Sequence, residues 1–94
     1  MKSFIEVHRI ELPQEYLFKN HTLKFHLESI RTELIVSYGP NLDFPINFSE
    51  FSDLIHEKIS ENVDVNHLPS FIELNNGKKI NVFEDYEFLK SVLQ

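Results

Sequence analysis

Apolar and polar positions follow two different periods along this chain, and the changes of period divide it into elements. The last quarter, residues 70–94 (SFIELNNGKKINVFEDYEFLKSVLQ), is the most legible. Two short runs of β-formers flank Asn75-Asn76-Gly77, and a compact amphipathic segment follows. A two-residue loop at Asn76-Gly77 would set Leu74 against Lys79 and Ile72 against Asn81, mixing polar and apolar groups on both faces. A three-residue loop instead places Asn75 and Asn76 in a type I turn and Gly77 in the left-handed bulge position. Ile72 then faces Ile80, Leu74 faces Lys78, Ser70 faces Val82 and Glu73 faces Lys79. This register gathers Ile72, Leu74, Ile80 and Val82 on one face and sets an opposite-charge pair on the other. The expected element is therefore a bulged hairpin over about 70–83. Asp85 can cap a short closing helix over about 85–93 that turns Leu89, Val92 and Leu93 inward.

Upstream, MKSFIEVHRIEL is rich in Phe, Ile and Val but alternates imperfectly, which predicts a strand over about 3–11. Pro13 suits the first position of a short helical turn, PQEYLF, with Glu15 near its positive end. Segment 21–38 keeps two periods at once. Leu23, Phe25 and Leu27 alternate with Thr22, Lys24, His26 and Glu28, and Leu34, Val36 and Tyr38 alternate with Glu33, Ile35 and Ser37. Leu23, Leu27, Ile30, Leu34 and Tyr38 also fall at helical spacing, and Gly39-Pro40 would end such a helix. The β-branched cluster Ile30, Thr32, Ile35 and Val36 favours two strands joined near residues 29–32.

A loop over 39–45 leads to a main helix over about 47–61. Asn47 and Glu50 stand at capping-box spacing, Ile46 can staple to Phe51, and Phe51, Leu54, Ile55 and Ile59 form an inward stripe. Asp53, Glu57, Lys58 and Glu61 lie elsewhere on its surface. A polar connection follows, and Pro69 marks the entry into the hairpin. The expected class is α+β, one domain over 1–94, with 1–20 as an N-terminal extension of strand and turn.

Composition bounds the function. The 94 residues suffice for one core, and nine phenylalanines with three tyrosines make it aromatic. Nine basic against fifteen acidic residues leave a net charge of −6. The excess is local: residues 48–94 hold four basic and nine acidic side chains. Such a chain lacks the basic stripe that supplies most nucleic-acid affinity, so direct binding of DNA or RNA is not expected. The acids serve solubility or form a surface for a basic partner. Without cysteine there is no disulfide, thiolate metal site or cysteine nucleophile. No apolar run is long enough to cross a membrane, and the N-terminus lacks the layout of a secretory signal. The chain reads as cytoplasmic or nuclear, in a reducing compartment.

Catalytic patterns fail in turn. His56-Glu57 begins an H-E-x-x-H pattern, but Ser60 stands where the second histidine belongs, so the helix cannot present two imidazoles one turn apart. His21 and His26, five apart on a strand, would point to opposite faces. No serine occupies a G-x-S-x-G elbow, and Gly39 and Gly77 alone cannot build a phosphate-cradling loop. Glu84-Asp85 reads as a helix start rather than an acid/base dyad. No cofactor, metal or enzymatic activity is expected. Phe71 lies on the Glu73/Lys79 face; either the N-terminal segment covers it, or with Phe83 it forms an exposed apolar spot suited to a partner.

From Leu23 onwards, the order strand, strand, helix, hairpin and short helix resembles the ubiquitin-like β-grasp, most nearly the phox/Bem-type heterodimerisation domains. Leu23-Lys24-Phe25 resembles their first strand, FSEFSDLIHEKI the helix crossing the sheet, and residues 70–93 the hairpin and closing helix. The resemblance implies a mixed β-grasp sheet, a Lys24 that engages an acidic partner, and Glu84, Asp85 and Glu87 as the later part of an acidic patch. Asn75, Asn76 and Gly77 depart from the D-x-D-like loop of the acidic class, and the first twenty residues have no counterpart. The expected function is a non-enzymatic protein–protein interaction module, with Lys24, Glu84, Asp85, Glu87 and Phe71 as its contact residues. The alternative is a small acidic inhibitor, such as a phage antidefence or immunity protein, blocking a basic site on its target. A third reading makes the chain a subunit of a homo- or hetero-oligomer that buries the N-terminal strand.

Overall fold

The computed structural model describes residues 3–12 and 23–94. The turn expected after Pro13 and the position of His21 lie outside the described residues. Strands β1 (Phe4–Glu11), β2 (Lys24–Arg31), β3 (Ile35–Pro40), β4 (Ser70–Leu74) and β5 (Lys79–Val82) join helices α1 (Ser52–Lys58) and α2 (Tyr86–Leu93). The strands form one sheet in the order β2-β1-β5-β4-β3. Within the expected segment 21–38, the described residues from 23 onwards form strands β2 and β3 rather than a helix, with one turn of 3-10 helix at Thr32–Leu34 between them.

One expectation is corrected. The sheet is not mixed: each neighbouring pair is antiparallel, β5 running opposite to both β4 and β1. The first strand, β1, sits centrally between β2 and β5. Its imperfect alternation has a physical cause. Ile5 and Val7 enter one hydrophobic cluster with Ile30, Ile72, Ile80, Val82 and Leu89. Ile10 enters a second, with Leu23, Phe48, Ile55 and Phe83. Residues of odd and even number leave a strand on opposite sides, so β1 is apolar on both faces over different parts of its length.

The sheet cannot be flat. Its first and last strands would stand about 19 Å apart at the usual spacing of about 4.8 Å. From Arg31 to Ile35 the chain reaches at most about 14 Å. The sheet therefore curls until the end of β2 meets the start of β3. Thr32 N–H donates to Ser3 O (3.0 Å) and Asn75 N–H to Leu34 O (2.8 Å), tying the connecting turn to β1 and to the β4–β5 turn.

The C-terminal hairpin takes the three-residue loop. Ser70 pairs with Val82, Ile72 with Ile80 and Glu73 with Lys79. Leu74 N–H donates to Lys78 O, Gly77 N–H donates to Leu74 O, and Gly77 takes φ +87°. Asp85 caps α2 by accepting from Phe88 N–H at 2.9 Å, and Leu89, Val92 and Leu93 pack inward.

The main helix departs from expectation at its start. Residues Phe48–Phe51 form 3-10 helix before α1, and Asn47 makes no side-chain cap. Its carbonyl accepts from Glu50 N–H at 3.1 Å, taking the donor that the side chain would have used. The inward stripe holds, with Phe51, Leu54 and Ile59 around the fully buried Ile55. Along β3, Leu34, Val36 and Tyr38 do not share one face. The pairing skips Val36, and this bulge turns Ile35 and Tyr38 inward together while Val36 is exposed.

Candidate functional site

The five residues expected to contact a partner occupy separate places. Lys24 opens β2 opposite Glu11, exposed at the sheet edge. Phe71 lies on the outer face of the β3–β5 sheet, half-buried. Lys79 Nζ stands 4.4 Å from its ring centroid. Gly39, its cross-strand partner, leaves room for the ring: a Cβ there would come within 3.1 Å of Phe71 Cε1. Lys79 therefore meets an aromatic face, and Glu73, opposite it, accepts from Ser37 Oγ at 2.8 Å. Phe83 makes no surface spot with Phe71. It is buried in the second core against Phe48 (ring centroids 4.8 Å apart) and Phe25 (6.0 Å).

Two of the three acids have structural partners. Glu84 accepts from the backbone N–H of His8 (2.8 Å), and its other oxygen lies 2.7 Å from His8 Nδ1. Asp85 is the cap of α2. Glu87, in the first turn of that helix, is exposed. Each described histidine also has a partner. His67 Nε2 lies 2.8 Å from Phe83 O, with its ring edge-on between Phe48 and Phe83. His56 Nε2 lies 3.1 Å from Val63 O and holds the connection after α1. His26 lies 3.4 Å from Glu11. Among the described residues no group of three His, Asp or Glu side chains is placed to hold a metal ion, and no helix is long and apolar enough to cross a membrane.

Among the described residues, three exposed features bear on binding. The first is the outer edge of β2, eight residues in unbroken register with β1 and unpaired on its far side among the described residues. Leu27 lies along it with 63% of its surface exposed. The opposite edge, β3, is shorter, bulged at Val36 and ends in Pro40, features that discourage a further strand. The second is a groove of about 560 Å³ between β1 and α2, lined by Ser3, Phe4, Ile5, Glu6, Phe88 and Val92. The third is a row of exposed acids, Glu50, Asp53, Glu57 and Glu61, running along and beyond α1.

Sequence reasoning missed Leu27, Phe4 and Phe88. Leu27 shares its face with Phe25 but stands opposite His8, where the second core has ended. Phe88 lies off the Leu89/Val92/Leu93 stripe, a signal that the helical spacing does carry. No family model matches the chain, nor does any curated protein or solved structure.

Proposed function

We propose that this chain is a non-enzymatic protein–protein interaction module that binds its partner through its sheet and charged surface. The observation that carries the reading is the outer edge of β2: a long, regular strand edge with an exposed leucine along it and Lys24 at one end. Such an edge accepts a strand from another chain, and its charged residues set register and partner choice. Kinship with ubiquitin-like β-grasp and phox/Bem-type domains belongs to this proposal. The helix between β3 and the terminal hairpin supports it, while the antiparallel β1–β5 pair and the central N-terminal strand depart from it. Lys24 then meets acidic groups of the partner, and Glu87 is the member of the acidic patch left exposed to meet basic ones.

The test is Lys24→Ala and Leu27→Lys against an identified partner. Each is expected to weaken binding by about tenfold while leaving the thermal midpoint unchanged. Wild-type affinity in both variants would sink the proposal.

The acidic row Glu50, Asp53, Glu57 and Glu61 favours a second reading, a small inhibitor that occupies a basic site. There, affinity falls steeply with salt and is lost on neutralising that row rather than on changing β2.

A further inference from the structure

Strand β1 has a second edge. His8 sends both backbone groups away from β2: its N–H donates to Glu84 Oε1 and its carbonyl accepts from Phe83 N–H. Ser3 O, an odd position, faces the β2 side, where it accepts from Thr32 N–H. The backbone groups of a strand alternate sides with period two. Phe4 and Glu6 therefore present their N–H and C=O groups on the same side as His8, towards β5. But β5 is not there. It pairs with β1 at Arg9–Val82, and after Phe83 the chain turns away into α2. Glu84 takes the last backbone N–H with its carboxylate, and no described residue bonds the inner-edge groups of Phe4 and Glu6.

Those unpaired groups form one wall of the groove of about 560 Å³, and Phe88 and Val92 of α2 form the other. Phe4 is 50% exposed and Phe88 41%, so the groove is apolar and open. Beyond Phe88 lies a second cleft of about 240 Å³, also lined by Asp64, Glu84 and Asp85. Among the described residues lining the two clefts, the carboxylates are Glu6, Asp64, Glu84 and Asp85, and no Lys or Arg joins them.

We infer that this groove receives an extended, basic segment of a partner protein, which adds to the inner edge of β1 as a short strand continuing the line that β5 abandons. Main-chain bonds to Phe4 and Glu6 hold the segment. An apolar side chain seats between Phe4, Phe88 and Val92, and flanking Lys or Arg residues meet Glu6 and Asp64, the rim acids not already engaged by His8 or by the cap of α2. A second copy of this chain is a poor occupant, because its net charge of −6 meets the same acidic rim. The inference rests on the reading of the chain as a protein-binding module, and it names a surface separate from the outer edge of β2.

The test uses short labelled peptides alternating Lys and Val about a central Phe, their Glu-for-Lys counterparts, and Lys peptides N-methylated along one backbone edge. The Lys peptide is expected to bind about tenfold or more tighter than the Glu peptide, and N-methylation to weaken it by a similar factor. Phe88→Ser is expected to weaken it about tenfold, Leu27→Ser to leave it unchanged, and the Glu6 amide to gain exchange protection on binding. Equal binding of Lys and Glu peptides, or binding indifferent to Phe88→Ser, overturns the inference. So does a concentration-dependent dimer that Phe88→Ser abolishes. Peptide binding lost in Leu27→Ser instead would remove the groove while keeping the interaction module. No binding by any peptide, together with wild-type partner affinity in the β2 variants, removes both.

Discussion

Glu84 illustrates how a residue with the right charge for a binding patch is held in the structure itself. Its carboxylate ends the pairing of β1 with β5 by accepting the His8 backbone N–H and meeting the His8 ring. Removing it strands a part-buried backbone donor, so Glu84→Ala is expected to cost about 1–3 kcal/mol in urea unfolding. His8→Ala, which leaves the backbone bond in place, costs less. Equal costs, or none for Glu84→Ala, would return Glu84 to the pool of free binding acids. Ser70 is the converse case: its hydroxyl is fully buried with no hydrogen-bond partner among the described residues. Ser70→Ala is expected to be neutral or to raise stability by up to about 1 kcal/mol; a clear loss would mean the hydroxyl has a partner in solution.

At the scale of elements, β1 and α2 carry the predictions. If the inner edge of β1 is open, amide exchange along it alternates. Ile5, Val7 and Arg9 are protected by β2, His8 is protected by Glu84, and Glu6 exchanges fast despite its central strand. Strong protection of Glu6 in the free protein would show that the edge is already occupied. Helix α2 depends on its cap, so Asp85→Ala is expected to lower stability by about 1 kcal/mol, and Asp85→Asn by much less. This helix and the hairpin before it were legible because their signals are local: a glycine at positive φ, a cap three residues from its donor, a stripe at helical spacing. The start of the main helix was less so. Asn47 and Glu50 have the spacing of a capping box, but the first turn closes as 3-10 helix and the main chain takes the donor.

At the scale of the whole molecule, the described residues form two hydrophobic clusters that share β1, one around Ile72 and Leu89, the other around Ile55 and Phe48. Because one strand serves both, the molecule is expected to unfold in one step. Phe48→Ala should cost about 3–5 kcal/mol and shift near- and far-ultraviolet circular dichroism transitions together. Separate transitions would show that the two clusters come apart independently. The curl that brings the end of β2 to the start of β3 belongs to this scale too. It follows from the reach of the chain once the strand order is known, and no local pattern announces the strand order.

The sequence by itself determined what is short-range: the class of the fold, the register of the C-terminal hairpin, the cap and stripe of α2, and the inward residues of α1; across 21–38 it kept strand and helical spacing side by side, with the β-branched cluster favouring strands. Each rests on residues within a turn or a hairpin of one another, where steric limits and side-chain period leave few choices. Tertiary structure alone decided the central place of β1, the antiparallel sheet, and the division of Ile5 and Val7 from Ile10 between two cores. It also decided which charges are free. Glu84, Asp85 and Glu87 are near-neighbours in sequence and read alike, yet the first binds a strand 76 residues away, the second caps its helix, and the third is exposed. The edge at Phe4 and Glu6, open among the described residues, is likewise a matter of tertiary structure: β5 pairs with β1 only at Arg9–Val82 and the chain then turns into α2.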